Sequence, residues 1–265
     1  MLSILFIGEI NGKIGRSAVE KILPELKKEL KPDLIITNAD NLAHGNGISE
    51  DSIKQMMQAG IGAFTGGNHC FNNAKSLRLY DSDLPILRPA NYSEKAPGKG
   101  FTIIELKNGC KILLISLIGQ FLMPANHNNP FVKADEILSN FADNKLSAII
   151  IDIHAEATSE KIALWRYLDG RASAIIGSHT HIMTADAQIS ESGSAIITDA
   201  GMTGFADGIL GLDKSNIIKT FLTKIKSANV MPENGRAIFC AVHLSINSKT
   251  KRTASIKTIT KYINI

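Results

Sequence analysis

Four of the seven histidines, His69, His154, His179 and His181, stand in short polar segments that follow apolar, β-rich runs. Two carboxylates, Glu9 and Asp40, and two amides, Asn41 and Asn68, fall in segments of the same kind. The five segments are Gly8-Glu9, Asn38-Ala-Asp40-Asn41, Gly66-Gly-Asn68-His69, His154 and Gly177-Ser-His179-Thr-His181. Any one of them alone reads as an ordinary hydrogen-bonded side chain. Imidazole, carboxylate and amide collected at five strand ends read instead as metal ligands. The donors mix nitrogen and oxygen and are of borderline hardness, which favours Mn, Fe or Zn over Ca or Mg. A catalytic zinc takes three protein ligands, and this set exceeds that. It suits two divalent ions ~3.5–4 Å apart sharing a carboxylate, the usual arrangement for phosphate ester hydrolysis, with a bridging hydroxide as the expected nucleophile. His69 is the candidate general acid for the leaving alkoxide: it directly follows Asn68 yet projects differently, and an imidazole titrates near working pH. In an extended His179-Thr-His181 segment both imidazoles would lie on one side and reach one site or two adjacent ones. Cys70 reads as a packed thiol.

Strands must carry these residues to one place. Leu2–Ile7, Leu34–Thr37, Ile61–Thr65, Ala148–Ile153 and Ala172–Ile176 are apolar at successive positions, as expected of strands covered on both faces. Amphipathic helical runs alternate with them, the pattern of an α/β sheet built largely from parallel strands. In such sheets ligands bind outside the carboxyl ends of the strands, so the five segments should face one crevice. Ser49 is a candidate N-cap for a helix to Ala59, with Glu50 and Asp51 in its first turn and Gly60 just past its end. A second helix is expected over Arg16–Leu30, kinked at Pro24. Phe101–Leu106 and Lys111–Leu117 flank Asn108-Gly109 and predict a hairpin. Turns at Glu191-Ser-Gly193 and Asn247-Ser-Lys249 suggest further antiparallel strands and a second sheet packed on the first.

The chain has 265 residues, 44% hydrophobic and 20% charged, with 21 Gly and 8 Pro. These ordinary globular values argue against disorder, collagen and coiled coil, and one domain over residues 1–265 is expected. Apolar stretches fall far short of the ~20 residues that cross a bilayer. Met1–Ile7 lacks a basic start and a small-residue cleavage site, so it reads as a first strand with no export expected. Three cysteines with no CxxC spacing fit a reducing, cytoplasmic setting. Ten Lys/Arg against the single acid Glu233 make residues 214–265 basic. They are interspersed with apolar residues, which favours solvated faces of a helix and two strands over a patch for a phosphate-bearing partner.

Gly8-Glu9, Asn38-Ala-Asp-Asn41, Ala43-His-Gly45, Gly67-Asn-His69, Arg88-Pro-Ala-Asn91, His154-Ala-Glu-Ala-Thr158, Gly177-Ser-His-Thr-His181 and Thr198-Asp-Ala-Gly-Met-Thr-Gly204 resemble the YmdB-type bacterial metallophosphoesterases. The resemblance covers nearly the whole chain in order. It implies a calcineurin-like α/β fold, two packed mixed β-sheets flanked by helices. It also implies a dinuclear phosphodiesterase acting on cyclic nucleotides, 2′,3′-cyclic phosphates in particular. Carried across by motif, Glu9, Asp40, Asn41, Asn68, His154, His179 and His181 fall at metal-ligand positions and His69 at the acid position. The family's first carboxylate is usually Asp and its second Glu, the reverse of Glu9 and Asp40 here. A binding protein that has lost turnover, or a two-metal hydrolase of a non-phosphate substrate, are the competing readings. His44 could reach substrate or make a loop hydrogen bond. Thr203 could offer donors to a phosphate or close a plain turn. Arg171 is expected to pair with Asp169 rather than with phosphate, and His127 and His243 to be bystanders. Trp165, with Ile162 and Leu168, reads as a core-facing stripe. The partners to expect are a small phosphodiester or cyclic nucleotide, with RNA ends and further copies of the chain (a homo-oligomer) as additional candidates, and no membrane.

Overall fold

The computed structural model describes residues 1–142 and 145–265. In chain order the first half holds strands β1 (Leu2–Ile7) and β2 (Glu9–Ile10), helix α1 (Gly12–Leu30), β3 (Leu34–Asn38), α2 (Glu50–Ala59), β4 (Ala63–Thr65), α3 (Leu77–Tyr80), β5 (Phe101–Glu105), β6 (Lys111–Ile118) and α4 (Pro130–Asn140). The second half holds β7 (Ala148–His154), α5 (Thr158–Tyr167), β8 (Ala174–Ser178), β9 (Gln188–Ile189), β10 (Ala195–Ile197), β11 (Met202–Phe205), α6 (Lys214–Thr223), β12 (Arg236–Ile246) and β13 (Thr253–Asn264).

Among the described residues these strands form two mixed sheets. One runs β2-β11-β12-β1-β3-β4 with β13 along the other edge of β12, and the second runs β5-β6-β7-β8-β10-β9. Side chains alternate across each strand. In β1, Leu2, Ile4 and Phe6 meet Ile112, Leu114, Ile150 and Ile176 of the second sheet in a core between the sheets. Leu5 and Ile7 point the other way, onto Val19, Leu23, Leu26 and Ile53 of α1 and α2. On the outer face of the second sheet, Ile149, Ile151 and Ile153 pack under α4 and α5, with Trp165 and Leu168 in that layer. Ile162 is 39% exposed and outside the stripe expected of it. The result is a four-layer helix-sheet-sheet-helix sandwich.

Several boundaries differ from expectation for local reasons. β8 starts at Ala174 rather than at the expected Ala172, because the Ala172 N–H still closes the turn after α5 on the Leu168 carbonyl at 3.2 Å. β4 begins at Ala63 rather than Ile61, whose N–H is spent on the Met56 carbonyl in the turn after α2. α1 begins at Gly12, before Arg16, and runs through Pro24. α2 forms as read, with the Ser52 N–H donating to the Ser49 hydroxyl and Gly60 left-handed at φ 110°. The basic C-terminal stretch is indeed one helix and two strands. No helix is long and apolar enough to cross a membrane among the described residues.

Candidate metal centre

On the faces turned toward the other sheet, strands change character at their carboxyl ends. β7 places Ala148, Ile150, Asp152 and His154 on one face, β8 places Ala174, Ile176 and Ser178, and β3 places Leu34, Ile36 and Asn38. The inter-sheet core thus ends in a buried polar layer that contains Asn38, Asp152, His154 and Ser178.

Glu9, Asp40 and His154 converge there: one ligand atom from each lies within 4.8 Å of the others, all buried. His154 Nε2 is 3.5 Å from Asp40 Oδ2, 2.9 Å from Asn68 Oδ1 and 3.1 Å from His179 Nδ1. His181 Nε2 is 3.4 Å from Glu9 Oε1 and 3.1 Å from Asn41 Nδ2, and Asn41 itself donates to Glu9. The five strand-end segments therefore meet. His69 sits at the rim with Nδ1 2.9 Å from Asn41 Oδ1 and 3.2 Å from Asp40 Oδ2. A cleft of about 610 Å³ opens over His69, His179 and His181.

The convergence of His179 and His181 does not come from an extended segment, as their spacing suggested. Both have positive φ, 100° and 67°, a conformation non-glycine residues rarely adopt. Surrounding bonds hold the turn in this conformation. The His179 N–H donates to Glu9 Oε2 at 3.2 Å. The Thr180 N–H and hydroxyl both donate to Asp199 Oδ2, and Lys161 pairs with the same oxygen from the buried side at 3.2 Å.

Charge balance at the site is set by imidazoles, since neither Glu9 nor Asp40 has a Lys or Arg partner among the described residues. Burial would raise the Glu9 carboxyl, but His181, His154 and His179 together drive it well below the usual carboxylate range. Burial would lower the His181 imidazole, but the charge and hydrogen bond of Glu9 outweigh this and raise it to about 9. His154 is pushed down to about 4 by burial, so it is neutral and its lone pair is free to coordinate. Two buried carboxylates balanced only by titratable imidazoles are a donor set that fits a divalent cation.

Residues that the sequence alone did not single out orient these side chains. Asp152 is fully buried and accepts from Ser178 Oγ at 2.7 Å, from Asn38 Nδ2 at 2.8 Å and from the Thr65 hydroxyl. With the Ser178 proton donated to Asp152, the Ser178 oxygen stands 3.1 Å from His154 Nδ1 as an acceptor for an Nδ1–H, the tautomer that leaves Nε2 to face the site. Burial pushes the Asp152 carboxyl up to about 7 against its three hydrogen bonds. Glu156 holds His179 through Nε2 at 3.1 Å, and the Leu210 carbonyl holds His181 through Nδ1 at 3.1 Å. An acid inside an apolar strand, two residues before a histidine on the same face, was a readable signal for Asp152. Nothing local marks Leu210.

Other candidates fall elsewhere. Thr203 is buried in β11, its hydroxyl bonded to the backbone of Cys240, so it offers nothing to the cleft. His44 is exposed, at φ 53°, and is not among the residues lining the cleft. Arg171 pairs with Asp135 at 2.6 Å rather than with Asp169, whose carboxylate accepts from Ser190. His243 bonds the Ser3 hydroxyl on neighbouring β1, His127 packs tilted against Tyr92, and Cys70 is fully buried.

A family model described as YmdB-like protein matches residues 5–259. The chain belongs to the YmdB-like family. It is 42% identical over 258 residues, 97% of this chain and 96% of the relative, to a 2′,3′-cyclic-nucleotide 2′-phosphodiesterase of Bacillus subtilis. A protein of Thermus thermophilus superposes with a TM-score of 0.91 at 34% identity, covering 98% of this chain and 99% of that one. A phosphatase of Mycoplasma pneumoniae does so with a TM-score of 0.91 at 29% identity, covering 98% and 93%. This YmdB-like chain thus has the calcineurin-like metallophosphoesterase fold that its motifs implied.

Proposed function

We propose that the chain is a metal-dependent phosphoric diester hydrolase that opens 2′,3′-cyclic phosphates of nucleotides by cleaving the ester to the 2′ oxygen. The observation that carries this reading is the buried convergence of Glu9, Asp40 and His154, with His69 at the rim of an open cleft. The 42% identity to the Bacillus subtilis enzyme supports the substrate class. RNA ends bearing the same cyclic group belong to that class, and residues 1–265 act as one domain.

In this reading Glu9, Asp40, Asn41, Asn68, His154, His179 and His181 hold two divalent ions, Mn, Fe or Zn. Such ions supply charge neutralisation at the phosphate and activation of water. The rest falls to the chain. Asp152, through Ser178, keeps the His154 lone pair aimed inward, and Glu156 and Leu210 do the same for His179 and His181. His69 holds a proton at the rim: its hydrogen bond to Asp40 raises its pKa against the effect of burial. That proton passes to the ribose oxygen as it leaves.

The test is hydrolysis of 2′,3′-cyclic AMP by the full chain with added Mn²⁺, Fe²⁺ or Zn²⁺, with products separated by chromatography. The expected product is 3′-AMP. Accumulation of 2′-AMP, or no turnover with any of the three metals, would overturn the proposal.

A further inference from the structure

The catalytic cleft does not end at the ligands. Its far wall, formed by Leu210, Leu212 and Asn229, is also the wall of a second hollow of about 440 Å³ under α6. Ile217 and Phe221 of α6 form the opposite side and Lys226 stands among its lining residues. The segment that builds it is tied down at both ends. The Leu210 carbonyl accepts from Asn11 Nδ2 at 3.2 Å as well as from His181, and the Asp213 N–H donates to the Val230 carbonyl at 2.8 Å.

Two properties of this segment are presented to solvent. α6 buries none of its side chains, and Phe221 is 70% exposed although it lines the hollow. Residues 214–232 contain Lys214, Lys219, Lys224 and Lys226 and no acid. An exposed aromatic at an apolar hollow that has Lys226 in its lining, carries three more lysines on the same segment and shares a wall with the proposed phosphodiester site matches a single-stranded nucleic acid: bases stack on the aromatic and lysines meet the phosphates.

Resting on the cyclic phosphodiesterase reading, we propose that this hollow takes the nucleoside preceding the scissile group in an RNA strand. The preferred substrate is then an RNA 3′ end carrying a 2′,3′-cyclic phosphate rather than the free cyclic mononucleotide. Consecutive nucleotides occupy the two hollows across their shared wall, Phe221 stacks on the penultimate base, and Lys226 meets the phosphate between them. Stacking on one aromatic reads no base edge, so the preference for RNA is independent of sequence.

Two measurements on the full chain test this. The first compares kcat/KM for 2′,3′-cyclic AMP and for a tetraribonucleotide ending in a 2′,3′-cyclic phosphate, in the metal-loaded protein. The tetranucleotide is expected to be favoured about tenfold or more, and Phe221→Ala or Lys226→Ala to remove most of that advantage through KM while leaving the mononucleotide unchanged. The second is fluorescence anisotropy of a labelled tetranucleotide 3′-phosphate with metal-free protein, where Phe221→Ala should weaken binding about tenfold. Equal kcat/KM for both substrates, or equal losses on both in the variants, would overturn the subsite. So would unchanged RNA binding by Phe221→Ala together with a smaller species in gel filtration, since α6 would then be covered by a second copy. If neither substrate is hydrolysed while the anisotropy contrast persists, the subsite stands and the phosphodiesterase reading fails.

Discussion

Replacing Asp152 by asparagine keeps the shape of the side chain and puts an amide among donors. Oδ2 faces Asn38 Nδ2 and the Thr65 hydroxyl, and Oδ1 faces the Ser178 hydroxyl. An asparagine placed with its NH₂ toward Asn38 sets two donors against each other. Placed the other way, it donates to Ser178, whose own proton then turns to His154 Nδ1. That hydrogen bond selects the opposite tautomer, with the proton on Nε2, where it faces Asp40 and blocks coordination. Loss of such an outer partner typically costs tenfold to a hundredfold in metal affinity, about 1.4–2.7 kcal/mol. The assay is competition for Mn²⁺ or Zn²⁺ against a chelator of known affinity. The ¹⁵N chemical shifts of His154 report the tautomer directly. Ser178→Ala removes the relay without a new donor and should lose affinity while leaving the tautomer mixed. A folded Asp152→Asn protein with unchanged affinity and an Nδ1–H tautomer would refute the relay.

His69→Ala should retain metal and lose turnover by roughly 10²–10⁴-fold, with a smaller loss on p-nitrophenyl esters, whose leaving group needs no proton; equal losses on both would remove the acid role. Glu9→Asp shortens reach by roughly 1.3–1.5 Å, where metal bonds tolerate about ±0.2 Å. It should lower metal affinity, and adding Asp40→Glu should restore it, a coupling a double-mutant cycle measures; a gain of activity in Glu9→Asp alone would count against compensation. In the metal-free protein the folded-state pKa of His181 is raised, so its pairing with Glu9 stabilises fully below pH ~6.5 and is lost as pH rises through about 9. The melting-temperature difference between wild type and His181→Gln should therefore shrink from pH 6 to pH 9.5, and a constant difference would refute the pairing.

The strand-end rule carried the sequence reading a long way, because a polar residue that closes an apolar run has little choice of neighbours. Glu9, Asn38, Asp40, Asn68, His154, His179 and His181 all reach the polar layer the rule predicts. What escaped was information held between elements. The left-handed backbone at His179 and His181 depends on Asp199 and Glu9, far away in the chain. Thr203 looked like a loop donor because Gly201 and Gly204 flank it, yet its pairing with β12 buries it. The loop around Leu210 shows its role only once its carbonyl is seen against His181.

The register of β1 has a bearing on when the site can exist. Along one edge β1 pairs with β12, Leu2 opposite Ile246 and Ile7 opposite Ala241. The backbone just beyond it is gripped by carbonyls of Cys240, through the Gly8 N–H, and of Gly201, through the Glu9 N–H. Synthesis runs from the N-terminal side, so Glu9 leaves the ribosome long before β11 and β12, which hold the backbone around it. The nascent chain can lay down β3, β4 and the whole of the second sheet before its first carboxylate has a fixed place. Contacts of such long separation form late and slowly. On this order of assembly the proposed metal site is complete only once β11 and β12 have joined the sheet.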